Sequence, residues 1–226
     1  MNWFTELLAD PVFTEALPVA FVETLQMVGI AGLFTVLIGL PLGVLLHVAS
    51  PGGLYPMPVF HRIASDVIVN ITRSVPFAIL MVSLIPLSRL LVGTSLGPVA
   101  ASVSLSIGTI PFFARLVETS LREVHSGKID AAMVMGSTNM QIVNKVLLRE
   151  SMPGLAAALT TTLITLVGYS AMSGLIGGGG LGYIAYNYGF QRFNTPVMIV
   201  TIVIIVLLVQ VIQVLGDRVS KTLDHR

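Results

Sequence analysis

Five apolar stretches, each about as long as the roughly 20 residues a helix needs to cross a bilayer, leave this chain few ways to fold. They run from about Val22 to Val48, Val67 to Leu91, Leu96 to Leu116, Leu155 to Ile176 and Pro196 to Gly216. Hydrocarbon offers backbone groups no water, so segments of this length cross as helices that satisfy their own hydrogen bonds. Apolar residues make up 54% of the 226 and charged residues 10%, against about 25% charged in an ordinary soluble domain. The spans therefore use most of the length, and the chain reads as an all-α membrane protein with one transmembrane domain over residues 1–226. Pro41, Pro76, Pro86 and Pro111 fall inside the spans and predict kinks rather than breaks, because neighbouring helices can satisfy the carbonyls that proline frees. Pro98 falls in a first turn, where its missing N–H costs nothing.

Lysine and arginine set the orientation. Arg62, Arg73, Arg115, Arg122, Lys128, Lys145, Arg149, Arg218, Lys221 and Arg226 fall on one side of a five-span arrangement, and only Arg89 and Arg192 on the other. This predicts an outer N-terminus and a cytoplasmic C-terminus. The first residues hold no Lys or Arg, so they lack the basic region of a secretory signal, and the first stretch is expected to stay as a span.

Several chemistries are absent from the pattern. There is no cysteine, and His47, His61, His125 and His225 lie apart with no ligand spacing, so no metal site is expected. Gly177–Gly180 is followed by Leu181-Gly182-Tyr183, not by the Lys-Ser/Thr of a phosphate-binding loop; it reads as a flexible turn on the outer side. No span carries an ionisable residue at its centre, as an ion-coupled transporter would, and no inverted repeat is visible. Nothing resembles the cluster of an intramembrane enzyme, and a net charge of +1 gives no reason to expect nucleic acid. Glu23, at the outer end of the first span, reads as a first-turn carboxylate favoured by the helix dipole.

The helix faces point to assembly and to a pathway. Gly39 and Gly43 form a small pair that lets backbones approach, and Ala100, Ser104 and Gly108 repeat every four residues. Five helices leave little room for a lumen, so a solute route requires a second copy, with the Ala100 stripe a candidate for its contact. In the fourth span Thr161, Thr165, Tyr169 and Ser173 share one stripe, with Met172 beside it. The threonine hydroxyls can bond their own helix, whereas a tyrosine hydroxyl in a dry interior needs another partner. Tyr169 and Met172 are the leading candidates for lining a pathway, with Thr165 and Ser173 on the same stripe.

The polar island at 126–154, SGKIDAAMVMGSTNMQIVNKVLLRESMPG, carries the clearest signature. Asp130-Ala131-Ala132, three residues, Gly136, nine residues and Val146-Leu147-Leu148 closely resemble the cytoplasmic loop of ATP-binding-cassette importer permeases. That loop reads Glu-Ala-Ala, three residues, Gly, nine residues, Ile-x-Leu-Pro. Asp130 replaces the usual Glu and Arg149 the usual Pro, which alters how the loop exits. GYSAMSGLIGGGGLGYIAYNYGFQRF, residues 168–193, resembles the matching segment of methionine-importer permeases, and that similarity covers almost the whole chain.

The resemblance implies a type I importer permease fold in a bacterial inner membrane. The loop at about 117–153 would dock on an ATPase through Asp130, Ala131, Ala132 and Gly136, and Tyr169 and Met172 would touch the amino acid in transit. It further implies a partner set of a second copy, two ATPase subunits that use ATP and magnesium, and an extracytoplasmic binding protein. The chain itself would hold no cofactor and act as a transport subunit, not an enzyme. A permease for another amino acid or small solute, and an ion-coupled transporter, are the competing readings.

Overall fold

The computed structural model describes residues 11–69 and 74–224. Residues 1–10, and Arg73, His225 and Arg226 of the charge and histidine readings, lie outside the described residues. Among the described residues every regular element is helical. In order they are α1 Val12–Val48, α2 from Pro58–His61 on through Arg62–Val69, α3 Phe77–Ser83 and α4 Ile85–Val92. Then come α5 Pro98–Arg122, α6 Ser126–Val134 and α7 Asn139–Gly174. Last are α8, from Gly180–Tyr183 on through Ile184–Phe190, and α9 Thr195–Leu223.

Four of these, α1, α5, α7 and α9, are long and apolar enough to cross a membrane. They cover four of the five predicted spans. The second predicted span, from Val67 to Leu91, is not one kinked helix among the described residues. It contains α3 and α4, which meet at Leu84. Pro76 stands just before α3 and Pro86 in the first turn of α4. The residue before a proline is disfavoured in the helical region, so the stretch is interrupted at Val75 before Pro76, whereas at Pro86 it only bends: Leu84 stays in the helical region and donates to the Leu80 carbonyl at 3.0 Å. Pro98 opens α5 as predicted, and Pro41, Pro111 and Pro153 lie inside long helices.

The chain packs as two compact units. The first takes the residues up to Leu33, Val75–Thr109 and Leu163–Ile212. Its cores are built on Met27, Ala31, Phe77, Met81, Leu105 and Leu166, and on Ala20, Leu181, Ile184 and Val197. The second takes Phe34–Ser74, Ile110–Thr162 and the residues from Gln213 onward. Phe113, Val117, Leu121, Val143 and Leu147 centre its larger core. Helix α9 leaves Ile199, Val203, Val206, Leu207, Val211 and Leu215 exposed, the surface of a helix that faces hydrocarbon.

The small-residue motifs are packing devices. A Cβ on Gly39 would stand 3.1 Å from the Ile110 carbonyl oxygen, and one on Gly43 would stand 2.6 Å from Val117 Cβ, so both glycines let α1 and α5 touch backbone to backbone. The Ala100–Ser104–Gly108 stripe is covered by its own chain. Ala100 and Ser104 are buried, Ser104 lies 3.4 Å from Ser88 hydroxyl to hydroxyl, and Gly108 faces the Phe77 ring. The stripe therefore does not supply a face for a second copy, as the sequence had suggested. Four-residue spacing describes a close approach without saying which helix makes it.

Candidate functional site

The polar island folds as a helix, a turn and a second helix. His125 caps α6 by accepting the Gly127 N–H on Nδ1 at 3.1 Å. At the other end Gly136 takes φ +80°, its N–H bonds the Met133 carbonyl, and the Ser137 N–H bonds the Ala132 carbonyl, both at 3.0 Å. This pair of bonds around a left-handed residue is the Schellman arrangement that ends a helix and satisfies its last carbonyls. Two residues later Thr138 opens α7 with a capping box. Its hydroxyl accepts the Gln141 N–H at 3.3 Å, and the Gln141 side chain accepts the Thr138 N–H at 2.9 Å. The island is thus a tightly specified elbow.

The elbow's outer surface is apolar. Val134 is 88% exposed and Met135 78%, with Met133 and Met140 also largely open. Asp130 and Ala131 are exposed, whereas Ala132 is buried against its own chain. Among the described residues nothing beyond its own chain neighbours stands within 4 Å of where a Gly136 Cβ would lie, so that glycine is required by its dihedral, not by a neighbour. Lys128 and Glu150 form an ion pair, and the Asn139 amide donates to the Leu54 carbonyl at 3.0 Å, tying the elbow to the segment before α2.

One residue of this unit escaped the sequence reading. Glu118, near the end of α5, is 1% exposed, and its two oxygens accept from Arg115 and Arg122, each at 2.6 Å. The signal lay in the spacing Arg115-x-x-Glu118-x-x-x-Arg122, which places all three side chains on one helix face.

The predicted pathway residues lie in the first unit, on α7, and the structure separates them. Tyr169 is half-buried and stacks face to face on Phe77, with ring centroids 3.8 Å apart. Ser173 is fully buried; its hydroxyl donates to the Ser170 carbonyl at 2.8 Å, with Met27 Sδ 3.3 Å away. Met172 is exposed and Thr165 half-buried. Thr161 bonds the Ala157 carbonyl of its own helix at 2.9 Å. The stripe therefore turns from an interior wall at Ser173 to an open face at Met172.

The glycine run is not a loose turn. Gly177, Gly179 and Gly180 all take positive φ, and the Gly177 carbonyl accepts the Gly97 N–H at 2.9 Å. Glu23, well inside α1 and not in its first turn, accepts the Gly180 N–H at 2.7 Å, while Thr24 accepts the Leu181 N–H at 2.9 Å. The carboxylate does meet a helix N-terminus, but that of α8. Sequence periodicity could not show this, because the partner is 157 residues away in the chain.

Residues 39–225 match the family model described as binding-protein-dependent transport system inner membrane component. The chain is 49% identical over 204 residues, 90% of each chain, to a probable D-methionine transport system permease protein of Vibrio cholerae serotype O1. It is 55% identical over 152 residues, 67% of this chain and 70% of the relative, to the D-methionine transport system permease protein of Escherichia coli K12. Among solved structures it resembles an inward-facing form of the MetNI methionine ABC transporter, with TM-score 0.93 and 48% identity over 96% of this chain and 100% of that one. A crystal structure of an amino acid ABC transporter, 18% identical, shares the fold with TM-score 0.73.

Proposed function

The chain belongs to the family of binding-protein-dependent transport system inner membrane components, and from that premise we propose that it is the permease subunit of an ATP-driven methionine importer. The observation that carries this is the elbow at 126–141. An apolar surface of Met133, Val134, Met135 and Met140 is held outward by a Schellman turn at Gly136, in a chain whose long helices belong in lipid. An exposed apolar patch rimmed by polar groups is a docking surface, and its place among the positively charged connections puts it in the cytoplasm, where an ATPase subunit can reach it. The N-terminus then lies outside and the C-terminus inside.

In this reading residues 1–226 form a single permease domain and the chain has no ATP site of its own. Two ATPase subunits bind ATP and magnesium, two copies of this chain form the passage, and an extracytoplasmic binding protein delivers the amino acid. Asp130, Ala131, Ala132 and Gly136 shape the docking elbow. The helix that begins at the elbow is the one that carries Thr165, Tyr169, Met172 and Ser173. Met172 offers its thioether on an open face, and Tyr169, stacked on Phe77, presents a fixed aromatic edge. Sulfur against an aromatic ring is a favourable contact for a methionine side chain.

Uptake of labelled methionine by vesicles holding the whole complex tests this. Met172→Ala is expected to lower uptake or relax discrimination against bulkier amino acids by about tenfold, the worth of one good thioether contact. Unchanged uptake and selectivity in both Met172→Ala and Tyr169→Phe would remove these residues from the pathway. A wild-type complex that takes up a different amino acid in preference would overturn the substrate.

A further inference from the structure

Glu118 plays no part in the docking surface, yet it is a buried charge with a divided set of donors. Oε2 accepts from Arg115 Nη1 at 2.6 Å, and the same nitrogen donates to Ser65 of α2 at 3.2 Å. Oε1 accepts from Arg122 Nη2 at 2.6 Å. Arg122 is the last residue of α5, its side chain is 62% exposed, and α6 starts only a few residues later. On the other side of Oε1 stands His61 of α2, with Nε2 3.9 Å away. That nitrogen is buried and has no hydrogen-bond partner among the described residues.

A buried nitrogen without a partner costs free energy and calls for an explanation. A buried carboxylate stripped of a donor costs more. The two needs fit each other. If the elbow is drawn outward by its partner, Arg122, at the base of the elbow, moves with it and leaves Oε1. His61 Nε2–H then has to close only from 3.9 Å to about 2.9 Å to form a normal hydrogen bond. The neutral imidazole with its proton on Nε2 is enough, because Arg115 still balances the charge. Movement of His61 carries α2, which packs through Ala64 and Val69 onto Leu46 and Ala114.

We propose that Glu118 is a positioning residue that relays movement of the coupling elbow to α2, by exchanging Arg122 for His61 on one carboxylate oxygen. The proposal rests on the reading of the elbow as the ATPase contact. His61 matters as a donor in it, so the test separates donor from size. His61→Phe keeps a ring without a donor, and His61→Gln keeps an N–H donor.

Both variants are to be measured in the complete complex in vesicles, as methionine taken up per ATP hydrolysed. They are also to be measured by electron-spin distances between labels on Val59→Cys of α2 and Ser126→Cys at the start of the elbow, outside its apolar docking surface. Both positions are exposed, and the chain has no other cysteine. In the unmodified relay, ATP with vanadate should shift the label distance. His61→Phe should abolish the shift and lower uptake per ATP about fivefold, while His61→Gln keeps both. Glu118→Gln should behave like His61→Phe; if it does not assemble, the His61 pair still decides. The relay is overturned if nucleotide produces no shift, if His61→Phe matches the parent, or if His61→Gln is as damaged as His61→Phe. A His61-dependent shift in a complex that imports no methionine would instead sink the substrate and leave the relay standing.

Discussion

Two glycine-dependent junctions hold this molecule's helices together, and they use glycine for opposite reasons. At the elbow, Gly136 has φ +80° and open space around it; what matters is a dihedral that L side chains rarely adopt. At the junction of α7 and α8, Gly182 has no positive φ, but a Cβ there would overlap the Ala171 carbonyl and stand 2.6 Å from Ala171 Cα. Gly174, opposite, would meet the Gly182 carbonyl carbon at 2.6 Å. The first junction is a turn set in an exposed apolar surface. The second is a backbone contact closed to everything but glycine, and it welds the end of α7 to the start of α8. A similar letter in the sequence therefore marks an exposed joint in one unit and a rigid one in the other.

The sharpest test of that contrast is Gly182→Ala. The added methyl meets backbone, which cannot rotate away as a side chain can, so the substitution should destabilise the protein by about 3 kcal/mol or more, the upper range for overpacking. Thermal unfolding in detergent would show a large drop or loss of folded material. A Gly182→Ala protein as stable as the parent would mean the two helices can part freely, and the weld would be wrong.

Gly136 should respond to the kind of residue, not to its bulk. Gly136→Val forces a β-branched residue into the left-handed region, at a cost of about 1–3 kcal/mol, and should weaken binding of the ATPase subunits more than it weakens the chain itself. Gly136→Asn is larger than alanine yet tolerates this conformation, so it should recover most of the binding. Co-purification with the ATPase subunits measures both. Equal loss in Val and Asn would show that space at the docked surface matters, and the two junctions would then differ less than they do in the free chain.

Much of this was legible in the sequence, and the failures share a cause. Four spans follow from apolar length, and the polar island stands out by its charges and its motif; the caps of its helices and the left-handed conformation of Gly136 were not read from the sequence. Gly177–Gly180 read as flexible because a glycine run has no local partner; its rigidity comes from Glu23 and Thr24, far away in the chain. The Ala100–Ser104–Gly108 stripe failed as a dimer face for the same reason, since spacing reveals a close approach but not the identity of the neighbour. Tyr169 and Ser173 share a stripe by count, yet Phe77 and Met27 decide which is a wall and which is interior.

The smallest expected effect concerns what the weld owes to charge. Glu23 holds the α8 N-terminus through one charge-assisted bond to Gly180 N–H at 2.7 Å, and Thr24 holds the next N–H. Glu23→Gln keeps an acceptor of nearly the same shape and removes only the charge. It should therefore lose about 1 kcal/mol, the scale of a carboxylate at a helix N-terminus, or roughly 2–4 °C in Tm for a chain of this size. Glu23→Ala also removes the acceptor and leaves the Gly180 N–H without it, so it should lose more. The order Ala worse than Gln worse than Glu, read from thermal unfolding, would show that backbone fit and electrostatics both close this junction. If Gln and Ala were equally harmless while Gly182→Ala remained severe, the junction would be closed by shape alone, and Glu23 would be free for another role.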